Sequence, residues 1–298
     1  MYNEPKVSVI IVNFNGKNYI EECVDSVLLS LYRNFEIILV DNGSTDGSQE
    51  LLRKKYGKNR KVKIVLSKIN TYYTGGFNLG AKHSKGEKLI ILNNDSTIDP
   101  LWIRELVKCS SKEKNLIVQP KIFMYGKEKM LDSVGGKFNY FGFGFGIGRE
   151  IDYGQYDRRH SLDFVVGTAF MIDRKLFQTL KGFDEWYKFH YEDLDLCLRA
   201  KKLGAKCVFC HKSIIYHKIS LTFKNNIRPA FFTFNVRKNR MQTVIKNFSG
   251  IDRIIRLTGL LSFYVLLAIR DLLSFNPSLY FITLKSIGAV IAHNRKHS

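Results

Sequence analysis

Four polar clusters hold the residues of this 298-residue chain whose types and spacing could do chemistry. Three follow apolar runs directly: Asn13 to Gly16, Asp41 to Asp46, and Asn93 to Asp95. The fourth, His190-Tyr191-Glu192-Asp193-Leu194-Asp195, crowds three carboxylates at a helix start. Asp41 offers acceptor oxygens to the uncharged donors of a base or ribose. Asp95 suits a hard divalent cation, because carboxylate oxygens match Mg2+ or Mn2+ and let the ion bridge to a diphosphate. For the fourth cluster, capping and dipole compensation alone would explain acids there. Close acids also repel one another, which raises a pKa and suits a general base. Gly75-Gly76 permits close backbone approach, and a helix opening after the pair would favour phosphate at its N-terminus.

Placing these residues requires a regular scaffold, and the apolar pattern supplies one. Residues 7–12, 35–40, 62–66 and 88–92 are short β-branched or aliphatic runs, read as buried strands. Helical spacing marks 18–31, with Ile20, Val24, Val27, Leu28 and Leu31 on one face, and a second helix runs to about residue 56. A glycine-rich turn at 75–80 opens a third. Alternating strands and helices with short connections predict a parallel sheet flanked by helices. In such sheets ligands sit beyond the carboxyl ends of the strands, where three of the clusters fall. Strands end in polar turns in any case, so each cluster alone fits simple chain reversal. Together, two of them with carboxylates, they favour a nucleotide pocket.

The second half is less regular. Residues 135–148, rich in glycine and phenylalanine, read as a loop, 163–172 as a strand and 192–204 as a helix; strands return near 206–209 and 213–217. Cys207, Cys210, His211 and His217 lie on strand-like sequence and lack zinc-finger spacing. His217 reads either as a ligand to a nucleotide-bound metal or as a core histidine.

The ordered motifs resemble the family 2 inverting glycosyltransferases with the GT-A fold, especially their rhamnosyltransferase-like branch. The matching stretches begin with Val7-Ser-Val-Ile-Ile-Val-Asn-Phe-Asn-Gly16, Phe35-Glu-Ile-Ile-Leu-Val-Asp-Asn-Gly-Ser-Thr-Asp-Gly47 and Asn70. They continue with Gly75-Gly-Phe-Asn-Leu-Gly80, Leu92-Asn-Asn-Asp95 and Gly167-Thr-Ala-Phe170. Gly182-Phe-Asp-Glu185, Tyr191-Glu-Asp-Leu-Asp-Leu-Cys-Leu-Arg199 and His217 complete the order, which spans about residues 5–248. The resemblance implies a Rossmann-like, mostly parallel α/β fold with a catalytic domain at 1–248. It implies Asp193 as the general base toward an acceptor hydroxyl, with Glu192 orienting acceptor or base. The donor, a dTDP-rhamnose-like or UDP-sugar, would meet Asn13, Asn15, Asp41, Gly75, Gly76, Asn78 and Asn94. Gly167, Thr168 and Asp195 would form the floor for acceptor or donor, and Asp95 with His217 would bind Mg2+ or Mn2+. Asn93-Asn94-Asp95 departs from the family's two-carboxylate metal motif, leaving one carboxylate there. A non-catalytic nucleotide-sugar or polysaccharide-binding module is the alternative, which the retained Glu192-Asp193 pair disfavours. A dinucleotide-dependent oxidoreductase would want Gly-x-Gly-x-x-Gly where Asn13-Phe-Asn-Gly-Lys-Asn18 stands.

The net charge of +20 predicts an anionic partner. Residues 196–250 contain no Asp or Glu, and Arg237-Lys238-Asn239-Arg240 is their densest basic cluster. No nucleic-acid module or row of stacking aromatics accompanies it, so nucleic acid is not expected. Residues 257–269 carry no charge between Arg256 and Arg270, and 279–292 are apolar apart from Lys285. Thirteen residues fall short of the ~20 that span a bilayer. The tail from 249 to 298 therefore reads as helices lying on an anionic membrane surface, or packing on the core or a second subunit of a homodimer. A membrane location would make the acceptor a lipid-linked sugar or growing glycan. Five scattered cysteines and no signal-peptide pattern predict a cytoplasmic protein on the inner face of the membrane.

Overall fold

The computed structural model describes residues 4–111, 113–219, 228–273 and 277–296. Strands β1 (Val7–Asn13), β2 (Phe35–Asn42), β3 (Val62–Ser67) and β4 (Lys88–Asn93) run parallel in the order β4-β1-β2-β3. Their side chains alternate between two cores: Val7, Val9 and Ile11 face one, Ile10 the other. Strands buried on both faces need such unbroken aliphatic runs. In register, Asn13 lies opposite Asp41 and Val12 opposite Asn93, so the polar strand ends open on one edge of the sheet.

Beyond β4 come β11 (Ala169–Asp173), β6 (Leu116–Met124), β12 (Lys206–His217) and β10 (Ser161–Leu162). β11 is antiparallel to both its neighbours, while β12 is parallel to β6. The short strands β5 (Ser96–Ile98) and β7 (Leu131–Ser133) pair with β12 and β6. Helices α1 (Ile20–Leu28), α2 (Ser48–Tyr56), α3 (Tyr72–His83), α4 (Trp102–Ser110), α5 (Arg174–Thr179) and α6 (Glu192–Lys202) flank the sheet.

Several expectations need correction. Residues 135–148 form a hairpin, β8 (Gly135–Phe138) and β9 (Gly144–Ile147), rather than a loop. Two of its glycines lie where a side chain would collide: a Cβ at Gly136 would stand 2.2 Å from Phe164. The strands expected at 206–209 and 213–217 are one strand with an irregularity between Cys210 and Ile214. Residues 163–172 are a strand only from Ala169. The third helix starts at Tyr72, so Gly75 and Gly76 lie within it rather than ahead of it.

The C-terminal region is helical: α7 (Pro229–Asn247), α8 (Gly250–Leu273) and α9 (Pro277–Arg295). They share a small core of Met241, Val244, Leu260, Tyr264 and Val290. The basic cluster on α7 is largely buried. Arg237 bonds Thr283 Oγ1 and the Leu279 carbonyl and lies 3.7 Å from Asp271. Lys238 Nζ donates to the Trp186 carbonyl at 2.7 Å, and Arg240 Nε donates to Tyr191 Oη at 2.6 Å. Buried cations must find such partners, and here backbone carbonyls and helix residues supply them.

Candidate active site

A cavity of about 740 Å3 opens beyond the carboxyl ends of β1 and β4. Asn94, Asp95, Gly167, Thr168, Glu192, Asp193 and His217, widely separated in sequence, all line it. Four segments bring them together. The end of β4 presents Asn94 and Asp95, the segment leading into β11 presents Gly167 and Thr168, α6 begins with Glu192 and Asp193, and β12 ends in His217.

Asp193 Oδ2 accepts the Gly167 N–H at 2.8 Å, and Oδ1 accepts the Leu194 N–H at 2.7 Å. Tyr73 of α3 donates its hydroxyl to the Gly167 carbonyl at 2.6 Å. Gly167 is thus held on both sides, and a Cβ there would stand 2.9 Å from Tyr73 Oη and 3.2 Å from Glu192 Oε1. Burial raises the Asp193 carboxyl to about 6, against the backbone donors that favour its charged form. Burial and then the charge of Asp193 push Glu192 well above the carboxylate range. Both carboxyls are thus shifted upward, and burial holds the proton more tightly on Glu192 than on Asp193.

Asp95 and His217 meet in the same cavity. His217 Nε2 makes no hydrogen bond and lies 3.2 Å from Asp95 Oδ1, while Nδ1 is 2.7 Å from Asp132 Oδ2. Burial alone would lower the imidazole pKa, but the carboxylates on either side raise it to about 9. Among the described residues no cluster of three His, Cys, Asp or Glu side chains forms a closed metal site. One carboxylate and one imidazole fit a divalent ion such as Mn2+ that keeps open positions for diphosphate oxygens and water. Asp132 completes a carboxylate–histidine arrangement that fixes the ring. It sits in no motif, and only the pairing of β6 with both β7 and β12 brings it near His217.

Other residues expected to contact the donor lie outside this cavity. Asp41 is fully buried and takes hydrogen bonds from Asn13 Nδ2 (3.1 Å), Ser44 N (3.0 Å) and Gln49 Nε2 (2.9 Å). Asn13 Oδ1 in turn accepts from Asn94 Nδ2 at 3.0 Å, so Asp41 supports the cavity wall through two asparagines. Asn15 has a left-handed φ of 50° and its Oδ1 accepts the Thr45 N–H at 2.8 Å, joining the first two polar loops. Gly75 abuts the Thr71 side chain at the start of α3, while Gly76 abuts Val12, so the close packing of α3 on β1 requires the glycine at 76; neither lines the cavity. Asn78 bonds both the N–H and the carbonyl of Phe183, and Glu185. Asp195 points away from the cavity, toward Arg199 Nε (2.7 Å), Asn247 Nδ2 (2.9 Å) and Lys246 Nζ (3.2 Å). Helical geometry explains this last correction: positions two apart on a helix do not share a face.

The cavity also has an aromatic end that the motifs did not single out. Tyr72, Phe189 and Phe231 line it together with Arg228. Tyr72 and Phe231 centroids lie 5.8 Å apart, and Lys188 Nζ sits 4.7 Å above the Tyr72 ring.

A family description, glycosyl transferase family 2, matches residues 8–181, more than half of the chain. The chain belongs to this family. Its fold is that of GT-A glycosyltransferases, a mostly parallel α/β sheet with a helical C-terminal region. It is similar to the O-antigen biosynthesis protein RfbC of Myxococcus xanthus, 28% identical over 232 residues, which cover 76% of this chain and 18% of RfbC. Among solved structures it resembles GalNAc-T7 crystallised with UDP, GalNAc and Mn2+ (TM-score 0.68, 20% identity, 82% of this chain and 48% of that one). It also resembles the mannosyltransferase PcManGT of Pyrobaculum calidifontis in complex with GDP-Man and Mn2+ (TM-score 0.60, 14% identity, 98% and 76%). The matches span only 18–43% of the length of the first curated relatives.

Proposed function

We propose that this glycosyltransferase inverts configuration at the anomeric carbon, moving a sugar from a nucleoside diphosphate to a hydroxyl of a glycan or lipid-linked acceptor. The donor on this reading is dTDP-rhamnose or a UDP-sugar. The observation that carries the proposal is the half-buried Asp193 carboxylate, tied to the Gly167 and Leu194 N–H groups in a cavity that Asp95 and His217 also line. Asp193 takes the proton of the acceptor hydroxyl as its oxygen attacks the anomeric carbon from the face opposite the leaving diphosphate. A single base on the attacking side suits inversion, since retention through a covalent sugar would need a nucleophile on the leaving side. Glu192, protonated beside it, donates a hydrogen bond that orients the acceptor or the base. Asp95 and His217 would hold a divalent ion, which supplies charge stabilisation for the departing diphosphate. The tethered Gly167 and Thr168 form the floor.

Replacing Asp193 by Asn tests the base directly. Transfer should fall by about 10²–10⁴-fold while donor binding, measured by calorimetry, persists; a variant that transfers at the wild-type rate would sink the assignment. A donor panel read by thermal shift, with and without Mn2+, names the sugar nucleotide.

The acceptor side of the proposal rests on the tail. No helix among the described residues is long and apolar enough to cross a membrane. Along α8 the exposed side chains Ile251, Ile254, Ile255, Leu261, Val265, Leu266, Ile269, Leu272 and Leu273 follow helical spacing, and Phe281, Leu284 and Ile291 of α9 are exposed as well. Of the two acids on these helices, Asp271 is buried and Asp252 is paired with Arg256. An apolar stripe with basic neighbours and no exposed unpaired acid suits an anionic bilayer surface. The catalytic unit, residues 1–248, would then work at the membrane with 249–298 as its anchor.

A further inference from the structure

The segment that delivers Glu192 and Asp193 has an awkward backbone. Lys188, His190 and Tyr191 have φ of 66°, 59° and 72°, all left-handed and none glycine. Such conformations persist only where the surroundings hold them in place. One helix does most of that holding. On α7, Asn239 is fully buried, and its Nδ2 lies 2.8 Å from each of three carbonyl oxygens, those of Tyr187, Phe189 and His190. Neighbours on the same helix extend the grip: Lys238 to the Trp186 carbonyl, Thr243 Oγ1 to Tyr187 Oη at 3.1 Å, Arg240 to Tyr191 Oη. Phe232 packs edge-on to His190 with ring centroids 4.8 Å apart. Every residue from Trp186 to Tyr191 is therefore held by α7 through a hydrogen bond or ring contact, Lys188 by its Nζ 5.2 Å from the centre of the Phe231 ring, immediately before the two carboxylates. α7 lies outside residues 8–181, the part that matches the family.

We propose that Asn239 is a positioning residue for transfer: by gathering three carbonyls of the 187–190 turn it fixes where α6 begins and hence where Asp193 meets the acceptor. Asparagine suits the task because its amide donates and its short side chain fits between helix and turn. Leucine would leave three buried carbonyls without this donor, and aspartate would set a carboxylate against them. This inference rests on Asp193 as the base. Misplacing a reacting group by an ångström costs on the order of 10²-fold in rate.

The test uses the full chain with Asn239→Leu, Asn239→Asp and the milder Tyr191→Phe, which removes the Arg240 hydrogen bond and keeps the ring beneath its guanidinium. Around Asp193 the titratable groups are Glu192 on its own helix, Tyr73 of α3 and Cys197 one turn on, and none of these is altered. The expected result for the Asn239 variants is a roughly 10–100-fold lower kcat with donor affinity within about two-fold of wild type. The acid limb of the pH–rate profile should move to lower pH, because a loosened turn admits water to Asp193. Tyr191→Phe should shift both quantities in the same sense by less. A purely structural role would lower Tm and the active fraction and leave the acid limb where it is; that result overturns the proposal. If the Asn239 variants do not fold, an unchanged kcat and limb in Tyr191→Phe overturns it instead. Asp193→Asn assayed alongside separates the two claims. Normal transfer by that variant removes the base assignment and the positioning role with it. An inactive Asp193→Asn beside a normal Asn239→Leu removes the positioning role alone.

Discussion

Asp193 and Glu192 are consecutive, chemically alike and both carry raised pKa values, yet their surroundings give them different work. Two backbone N–H donors favour the charge on Asp193, while Glu192 Oε2 makes no hydrogen bond and faces the negative Asp193. With Asp193 as the proposed base, which must be ionised to act, transfer should fall as pH drops through about 6, rather than through the ordinary carboxylate range near 4. Initial rates at saturating donor between pH 4.5 and 8 measure this limb. Glu192→Gln should leave its position unchanged whatever it does to the maximum rate, since burial raises the Glu192 carboxyl further than that of Asp193; a displaced limb would assign the titration to the pair as a unit. Gly16 makes the second case at this scale. A Cβ there would stand 2.4 Å from Asn13 Oδ1 and 2.6 Å from Asn94 Nδ2. Gly16→Ala should break the Asp41–Asn13–Asn94 chain, weaken donor binding several-fold in calorimetry and cost about 1–3 kcal/mol of stability.

At the scale of elements, α3 against β1 sets how closely the sheet edge can be roofed. Gly80 faces Ile10 so tightly that a Cβ would lie 2.3 Å from its Cγ2, and Gly76 would meet Val12 at 2.6 Å. Alanine in a helix interior gains about 1 kcal/mol over glycine by propensity, whereas overpacking a core costs about 1–3 kcal/mol. With neighbours on a central strand that cannot shift outward, the clash wins. Gly80→Ala should therefore lower the urea midpoint, and a raised midpoint would show that α3 can slide. The same close approach places Tyr73, also on α3, against the Gly167 carbonyl.

For the whole molecule, the question is how the tail joins the rest. Arg237 of α7 relies on Asp271 of α8 and on Leu279 and Thr283 of α9. Deleting residues 249–298 would leave that buried guanidinium without partners, so a truncation would test folding together with lipid binding. Point changes on the outer face separate them. Leu266 and Leu272 are 67% and 58% exposed. Leu266→Glu with Leu272→Glu should abolish co-sedimentation with vesicles containing anionic lipid and leave Tm within a few degrees of wild type. Wild-type binding should weaken with added salt, because screening acts on the exposed Arg and Lys around the stripe. Wild-type protein that ignores such vesicles would redirect the face toward a protein partner.

The parallel strands and the helices between them were legible in the sequence because each signal is local. A β-branched run or a helical stripe is complete within a dozen residues, and the motif order carried Asp95, Glu192, Asp193 and His217 to one cavity. What was not legible depended on partners far along the chain. Gly75-Gly76 reads as a phosphate-binding turn until Val12 is seen beneath it. Asp195 reads as part of an acidic cluster until the helix turns it toward Lys246 and Asn247. Asp132 has no motif, and Asn239 lay inside a cluster that composition marked only as basic. Sequence by itself determined the family and the strand-end chemistry, since those are fixed by residue types and spacing. Only the tertiary structure decided which polar residues face the cavity and which brace it, because a side chain's direction and its hydrogen-bond partners depend on elements that fold against it from 50 to 85 residues away.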